Sequence, residues 1–144
     1  MLSKLVTASA LMAFCVIVHA LGLSVALRWL GRRRSPLLFR HWSWLFIRLA
    51  ALIVFLHVVE IAAWALFLTW KEAMPDVATA VYFSAATYTT TGYGDVVLQG
   101  QWRWIAGIES LTGILMCGWS TGFFFAVVSR LYAVNTATDG MGTP

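Results

Sequence analysis

The sequence predicts an all-α membrane protein with three transmembrane helices and a shorter helix that enters the membrane without crossing it. Of its 144 residues, 60% are hydrophobic and only 11% are charged, a combination that is rare in a soluble domain of this size. Three apolar runs reach the roughly 20 residues that a helix needs to cross the hydrocarbon core. A fourth segment, residues 77–89, is too short to cross, so we expect it to return on the side where it entered.

The positive charges are concentrated between the first two apolar runs. A net charge of +4 would suggest nucleic acid as a partner in a soluble protein, but six of the ten basic residues lie in one short segment. They are Arg28, Arg32, Arg33, Arg34, Arg40 and Arg48. Because cytoplasmic loops are enriched in Arg and Lys, we expect this segment in the cytoplasm, the N-terminus outside, the C-terminus in the cytoplasm, and no nucleic-acid partner.

The first transmembrane helix is predicted from about Leu5 to Leu30. No charge interrupts the run between Lys4 and Arg28. A cleavable signal peptide is the alternative, but the apolar pattern continues well past the candidate cleavage site at 18–20. We expect His19 to be packed or hydrogen-bonded, with a ligand or proton-sensing role as the alternative.

The basic connection is predicted to contain a short helix that lies in the membrane interface. Gly31 ends the first helix, and Ser35 followed by Pro36 suits an N-cap and a first helical position. Residues 37–42 mix apolar, aromatic and basic side chains, which is typical of a helix at the level of the lipid headgroups.

The second transmembrane helix is predicted from about Trp44 to Trp70, with Arg48 extending back toward the cytoplasmic surface. Glu60 lies well inside this run, where an acidic side chain costs about 2.5–3.5 kcal/mol on insertion scales. His57 lies three residues earlier on the same helical face and is the expected hydrogen-bond partner. Both residues are candidates for pH modulation, with structural hydrogen bonding as the alternative.

The re-entrant helix is predicted to begin at Pro75-Asp76. It leads into the sequence Thr89-Thr90-Thr91-Gly92-Tyr93-Gly94-Asp95. Irregular backbone at membrane depth is tolerated only where protein or a water-filled path surrounds it. Gly92 and Gly94 can adopt positive φ at little steric cost, which allows neighbouring carbonyls to turn toward one axis. Rings of such oxygens can replace the water shell of a cation.

This segment resembles the selectivity filter of the potassium-channel pore family, whose signature reads T-V-G-Y-G-D. The matching positions are Thr90, Gly92, Tyr93, Gly94 and Asp95, and Thr91 stands where the family usually has Val or Ile. The resemblance covers about residues 44–132. It implies a pore domain at 44–134, composed of an outer helix, a pore helix, the filter and an inner helix. An extra N-terminal helix with its basic connection would occupy 1–43, and a short cytoplasmic tail 135–144.

The resemblance also implies how the filter works. Potassium ions would be held by the backbone carbonyls of Thr90, Thr91, Gly92 and Tyr93 and by the Thr90 hydroxyl. One loop supplies a quarter of each ring, so a homotetramer is expected, with K⁺ and membrane lipid as partners and no cofactor. Tyr93 would brace the filter from behind, where Thr91 would alter the packing. Ala86 occupies the position of a buried glutamate in some bacterial channels, so no Glu–Asp pair is expected there.

The third transmembrane helix is predicted from about Trp104 to Val134. The pore-facing residues implied by the resemblance are Ile114, Cys117, Thr121 and Phe125. Their steps of three, four and four keep them on one helical face. Phe125 is a candidate for a hydrophobic constriction. Gly113 is a candidate hinge, with close helix packing as the alternative.

Glu109 is a second acidic residue within an apolar run. At about 100° per residue it lies roughly 125° from the pore-facing residues, so we expect it to point toward the pore helix. Thr87 offers a hydroxyl there as a hydrogen-bond partner. Glu109 is therefore a further candidate for pH modulation, with a structural hydrogen bond as the alternative.

Together these features predict a potassium-selective channel that conducts K⁺ passively and resides in a bacterial cell membrane. A non-selective cation channel of the same architecture is one alternative, and a non-conducting membrane sensor or accessory subunit is another. Non-selective members usually depart at the Tyr or the Asp of the motif, and both Tyr93 and Asp95 are intact. No catalytic or metal-ligand constellation occurs at a useful spacing, so an enzyme is not expected.

Overall fold

The computed structural model describes residues 2–31 and 39–139. The helices are α1 (Leu2–Gly31), α2 (Phe39–Trp70), α3 (Val77–Tyr88) and α4 (Arg103–Asp139), with one 3₁₀ turn at Gly100–Trp102 before α4. No strand occurs among the described residues. Three of the helices, α1, α2 and α4, are long and apolar enough to cross a membrane. The predicted all-α membrane fold is therefore confirmed.

Helix length separates the spanning helices from the re-entrant one. The 30, 32 and 37 residues of α1, α2 and α4 give lengths of about 45, 48 and 55 Å at 1.5 Å per residue. The hydrocarbon core is about 30 Å thick, so all three exceed it. The 12 residues of α3 reach only about 18 Å, which agrees with a helix that enters the membrane and returns.

Both ends of α3 are capped by side chains or backbone groups of its own segment. The Asp76 carboxylate accepts hydrogen bonds from the Thr79 amide at 2.9 Å and from the Thr79 hydroxyl at 2.7 Å. These bonds hold the pKa of Asp76 below its usual value, and the bond from the Thr79 hydroxyl has the largest effect. At the other end, the Thr89 amide donates to the Ala85 carbonyl at 3.1 Å. The helix start predicted at Pro75-Asp76 is confirmed.

The core consists of two apolar clusters at opposite ends of the bundle. Around α3, Trp64, Leu68, Phe83 and Met116 are buried together with Ala8 and Cys15 of α1. At the other end, Leu23, Leu30, Leu49, Phe123 and Val127 from α1, α2 and α4 form the second cluster. On the spanning helices, the buried side chains that lie between the two clusters are polar, as described below.

Two predicted boundaries differ from the structure. Phe39 to Trp42 were expected in a separate interfacial helix, but they form the first turn of α2, since no Gly or Pro interrupts the chain up to Trp70. Ser35 and Pro36 lie outside the described residues. The predicted tail at 135–144 begins as helix, because α4 continues to Asp139, directly before Gly140.

Candidate functional site

The segment 89–95, called the filter loop here because of the resemblance, follows α3 directly and has the backbone twist expected from its glycines. Gly92 has φ = 52° and Gly94 has φ = 79°. An added Cβ would meet no atom of the chain within 4 Å at either position. The requirement for glycine therefore comes from backbone conformation and not from lack of space.

Thr90 also lies in the left-handed region, with φ = 60°. A β-branched residue rarely adopts this conformation, and such strain typically costs about 1–3 kcal/mol. Two backbone hydrogen bonds hold the turn, from the Thr90 amide to the Thr87 carbonyl and from the Gly92 amide to the Ala86 carbonyl, both at 3.0 Å. Sequence reasoning assigned the twist only to the glycines, and no sequence signal marks Thr90 as strained.

The threonines of the loop bond to one another and to α3. The Thr89 hydroxyl donates to the Ala85 carbonyl at 2.7 Å, and it lies 2.9 Å from the Thr91 hydroxyl. Because the Thr89 hydrogen is already used, Thr91 is the donor to Thr89. The polar side chain that replaces the family's Val or Ile at this position therefore has a partner within the loop.

Asp95, at the far end of the loop, is tied back to α3. The Tyr82 hydroxyl donates to Asp95 Oδ2 at 2.7 Å, and the Val96 amide donates to Oδ1 at 3.0 Å. The Tyr82 bond lowers the pKa of Asp95 and raises that of Tyr82. The expected absence of a Glu–Asp pair at Ala86 thus leaves Asp95 with a different partner, Tyr82, which sequence reasoning missed.

Tyr93 is not packed against its own chain. Its side chain is 72% exposed, so the bracing implied by the resemblance is not supplied by the described residues of its own chain. Bracing of the filter by Tyr93 would need a surface from another copy.

The four residues expected to face a pore lie on the outer side of α4. Ile114, Cys117, Thr121 and Phe125 are all exposed, and Phe125 is 73% exposed. The opposite face of α4 packs against the chain through Met116, Phe123 and Val127. The exposed face of α4 is wider than these four residues alone, since Leu115 and Trp119 are exposed as well.

At Gly113, α4 lies directly against the last residue of α3. A Cβ on Gly113 would overlap the carbonyl oxygen of Tyr88, whereas a Cβ on Gly118 would meet nothing within 4 Å. The alternative of close packing therefore has a direct structural reason. The hinge role stays a prediction, since α4 runs through Gly113 as continuous helix.

Glu109 is fully buried and faces a hydroxyl of α3, as predicted, but this hydroxyl is that of Ser84 and not that of Thr87. Neither carboxylate oxygen has a hydrogen-bond partner among the described residues. The group of α3 that interacts with it is the Ser84 hydroxyl, which is also buried and makes no regular hydrogen bond with it. Thr87 lies one turn nearer the filter, where its carbonyl accepts a bond from the Ser110 hydroxyl at 3.1 Å.

Between the two apolar clusters, five polar side chains form a closed cycle of contacts, here called the buried ring. Its members are Glu60 and His57 of α2, His19 of α1, Tyr88 of α3 and Ser120 of α4. All are buried except His57, which is 18% exposed. The ring therefore joins all four helices at the middle of the bundle.

The contacts run around the ring in one order. His19 Nδ1 lies 2.9 Å from Glu60 Oε1, and His19 Nε2 lies 3.0 Å from Ser120 Oγ. Ser120 Oγ lies 3.3 Å from His57 Nε2, and His57 Nδ1 lies 3.0 Å from the Tyr88 hydroxyl. That hydroxyl closes the ring by donating to Glu60 Oε2.

The expected pairing of Glu60 with His57 is only indirect. The two side chains approach to 3.6 Å, but the direct partners of Glu60 are His19 and Tyr88. His57 lies beside Glu60 because the two residues are one turn apart on α2. The Nδ1 atom of His57, however, is bonded to the Tyr88 hydroxyl and not to Glu60. The histidine of α1 was recognised as hydrogen-bonded, but nothing in the sequence connects it with Glu60. The only available signal was a polar residue near the middle of each apolar run.

A short re-entrant helix and a glycine-containing loop between two spanning helices define a pore-loop membrane protein. A family model described as "Ion channel" matches residues 51–130, which is more than half of the chain. The chain therefore belongs to this ion channel family and is an integral membrane protein. The match includes α3, the filter loop and most of α2 and α4, while α1 precedes it. No curated protein and no solved structure matches the chain significantly.

Proposed function

We propose that four copies of this chain form a pore that conducts K⁺ passively and selectively. The observation that carries the proposal is the loop from Thr90 to Asp95, which follows a re-entrant helix and has Gly92 and Gly94 at positive φ. Within an ion channel family, this combination of motif and backbone supports K⁺ as the permeant ion.

The chemistry of selection would come from the backbone. The carbonyls of Thr90, Thr91, Gly92 and Tyr93, with the Thr90 hydroxyl, would replace the water shell of a dehydrated K⁺ ion. The C-terminal end of α3 lies directly before the loop, so its partial negative charge favours a cation at that place. No side-chain carboxylate is required among the ligands.

A tetramer is supported by what a single chain leaves incomplete. Each chain carries one loop and therefore one quarter of each carbonyl ring. In the single chain, Tyr93 is exposed, and so are the four predicted pore-facing residues of α4. Assembly around an axis would give Tyr93 a surface to pack against and the four residues of α4 a cavity to face. Thr121 would line that cavity, and Phe125 would form its narrow cytoplasmic end.

Charge and one contact support a membrane orientation with the N-terminus outside and the C-terminus in the cytoplasm. Lys4 lies 3.9 Å from the centre of the Trp102 ring, so the start of α1 is at the same end of the bundle as the filter loop. Arg28 in the last turn of α1 and Arg48 near the start of α2 are at the opposite end. The excess of basic residues there supports a filter that opens to the outside.

Purified protein in liposomes would test the proposal. Under a bi-ionic potassium–sodium gradient, we expect a reversal potential close to that of K⁺ alone. Reversal near zero would refute K⁺ selectivity and favour the non-selective cation channel. Absence of any ion flux from folded, membrane-inserted protein would favour the non-conducting sensor or accessory subunit.

A further inference from the structure

We infer that the buried ring is a proton-binding site, which holds one proton between His19 and Glu60 and transmits its occupancy to the filter. The inference follows from counting the hydrogens that the ring needs. It does not depend on which ion the pore conducts.

The ring has five contacts, and each needs one hydrogen. With Glu60 ionised and both histidines neutral, the two imidazoles and the two hydroxyls supply one hydrogen each, and the carboxylate supplies none. The ring is therefore one hydrogen short. One contact would then place two lone pairs opposite each other in a buried site.

The position of the missing hydrogen can be found from Tyr88. Its hydroxyl donates to Glu60, so His57 Nδ1 must donate to the Tyr88 oxygen. His57 Nε2 then accepts from Ser120, and the Ser120 oxygen accepts from His19 Nε2. A neutral His19 has no hydrogen left for Nδ1, which lies 2.9 Å from Glu60 Oε1. The extra proton belongs between these two atoms.

One proton at this place satisfies every contact and leaves the ring without net charge. Its loss would leave a carboxylate uncompensated between two apolar clusters. The other ionisable groups close enough to influence Glu60 or its neighbours are the thiols of Cys15 on α1 and Cys117 on α4. Glu109 on α4 is the second buried acid and acts on Cys15 through the same region. None of these three donates a hydrogen bond to the ring in the described contacts.

A divalent cation is a weaker explanation for the same cluster. One nitrogen from His19, one from His57 and one Glu60 oxygen lie within 4.8 Å of one another, which would suit a shared metal ion. However, every nitrogen and carboxylate oxygen of these three side chains already takes part in a contact of the ring, so a metal would have to break contacts that a proton preserves. A proton fits the ring as it stands.

The ring gives the proton a physical connection to the filter. Tyr88 is the last residue of α3, and its carbonyl packs against Gly113 of the inner helix. Thr90, the first residue of the carbonyl sites, follows two residues later. When the proton leaves, the net charge of the His19–Glu60 pair changes directly beside the Tyr88 hydroxyl, so the strength of the hydrogen bond that holds the end of α3 changes. His19 lies on α1, outside the family match, so α1 completes the site.

Two variants would remove the need for the proton by different means. In Glu60→Gln, the amide donates to His19 Nδ1 and accepts from Tyr88, so the ring closes without an extra proton. In Ser120→Ala, both Nε2 atoms lose their partner, and a neutral His19 can carry its hydrogen on Nδ1. His41→Gln makes the same kind of change at the chain's third histidine and is the matched control.

The first measurement is the unfolding of detergent-purified protein between about pH 7 and pH 9, where free histidines are neutral. The folded wild type holds one proton that its unfolded chain releases. Its folded-to-unfolded ratio is therefore highest at the lower pH and should fall up to tenfold per pH unit as pH rises. Glu60→Gln and Ser120→Ala should lower this slope by up to one proton relative to the wild type, whatever the other buried acid and the thiols contribute, and His41→Gln should keep the full slope. A flat wild-type profile, or an unchanged slope in Glu60→Gln, would overturn the inference.

The second measurement is ion flux from liposomes over the same range. We expect the wild-type flux to change with pH, and Glu60→Gln to show at every pH the flux that the wild type has at the acidic end. If Glu109→Gln flattens the response while Glu60→Gln keeps it, the site is Glu109 and the inference is wrong. A response to added Zn²⁺ or to a chelator, without a response to pH, would replace the proton by a metal. Loss of K⁺ selectivity alone would contradict the proposed function and not this site.

Discussion

Gly113→Ala is the substitution whose effect the structure defines most sharply. A Cβ at this position would overlap the carbonyl oxygen of Tyr88, a backbone atom that cannot rotate away as a side chain could. Overpacking typically costs about 1–3 kcal/mol, and a backbone obstacle favours the upper end of this range. Alanine recovers about 1 kcal/mol through its higher helix propensity. The net loss should be about 2 kcal/mol, roughly a 30-fold change in the folded-to-unfolded ratio.

Gly118→Ala provides the matched control on the same helix. Its Cβ would meet no atom of the chain within 4 Å, so only the gain in helix propensity remains. Reversible unfolding of both variants in detergent should therefore show a destabilised Gly113→Ala and a Gly118→Ala at least as stable as the wild type. Equal stability of the two variants would refute the close packing of α4 on α3. It would return Gly113 to the hinge interpretation.

Three further predictions concern the filter and the pore. Gly94→Ala should abolish K⁺ selectivity or assembly, because φ = 79° is strained for any residue with a Cβ; a selective tetramer in a liposome reversal measurement would contradict this. Phe125→Ala should raise basal flux without loss of stability. Phe123 is buried, so Phe123→Ala should lower the free energy of unfolding by about 3–5 kcal/mol and leave the flux per folded channel unchanged. Equal increases in flux would show that the predicted set of pore-facing residues is wrong. Tyr82→Phe removes the hydrogen bond that holds the pKa of Asp95 low. Ionised Asp95 stabilises the loop above its ordinary pKa, and this stabilisation is lost as pH falls. When flux is measured during acidification, Tyr82→Phe should therefore lose flux at a higher pH than the wild type. An unchanged acid profile would show that this bond does not stabilise the loop.

The sequence by itself determined the membrane class, the number of spans and the place of the loop that follows the short helix. These features depend on local properties that the chain carries wherever it packs: the length of an uncharged run, a capping carboxylate at Asp76, and glycines where positive φ is required. The same holds for the family, since the motif from Thr90 to Asp95 is contiguous. Helix ends were less certain, as the continuation of α2 to Phe39 and of α4 to Asp139 shows.

Only the tertiary structure decided the partners of the polar groups inside the membrane. Glu60 was expected to bond a neighbour on its own helix, but its direct partners come from α1 and α3. Glu109 was placed on the correct side of α4, yet one helical turn separated Ser84 from the expected Thr87. Helical periodicity fixes which face a side chain occupies, whereas its partner depends on the depth and rotation of another helix. That information is absent from the spacing of either helix alone, and the packing of four helices supplies it.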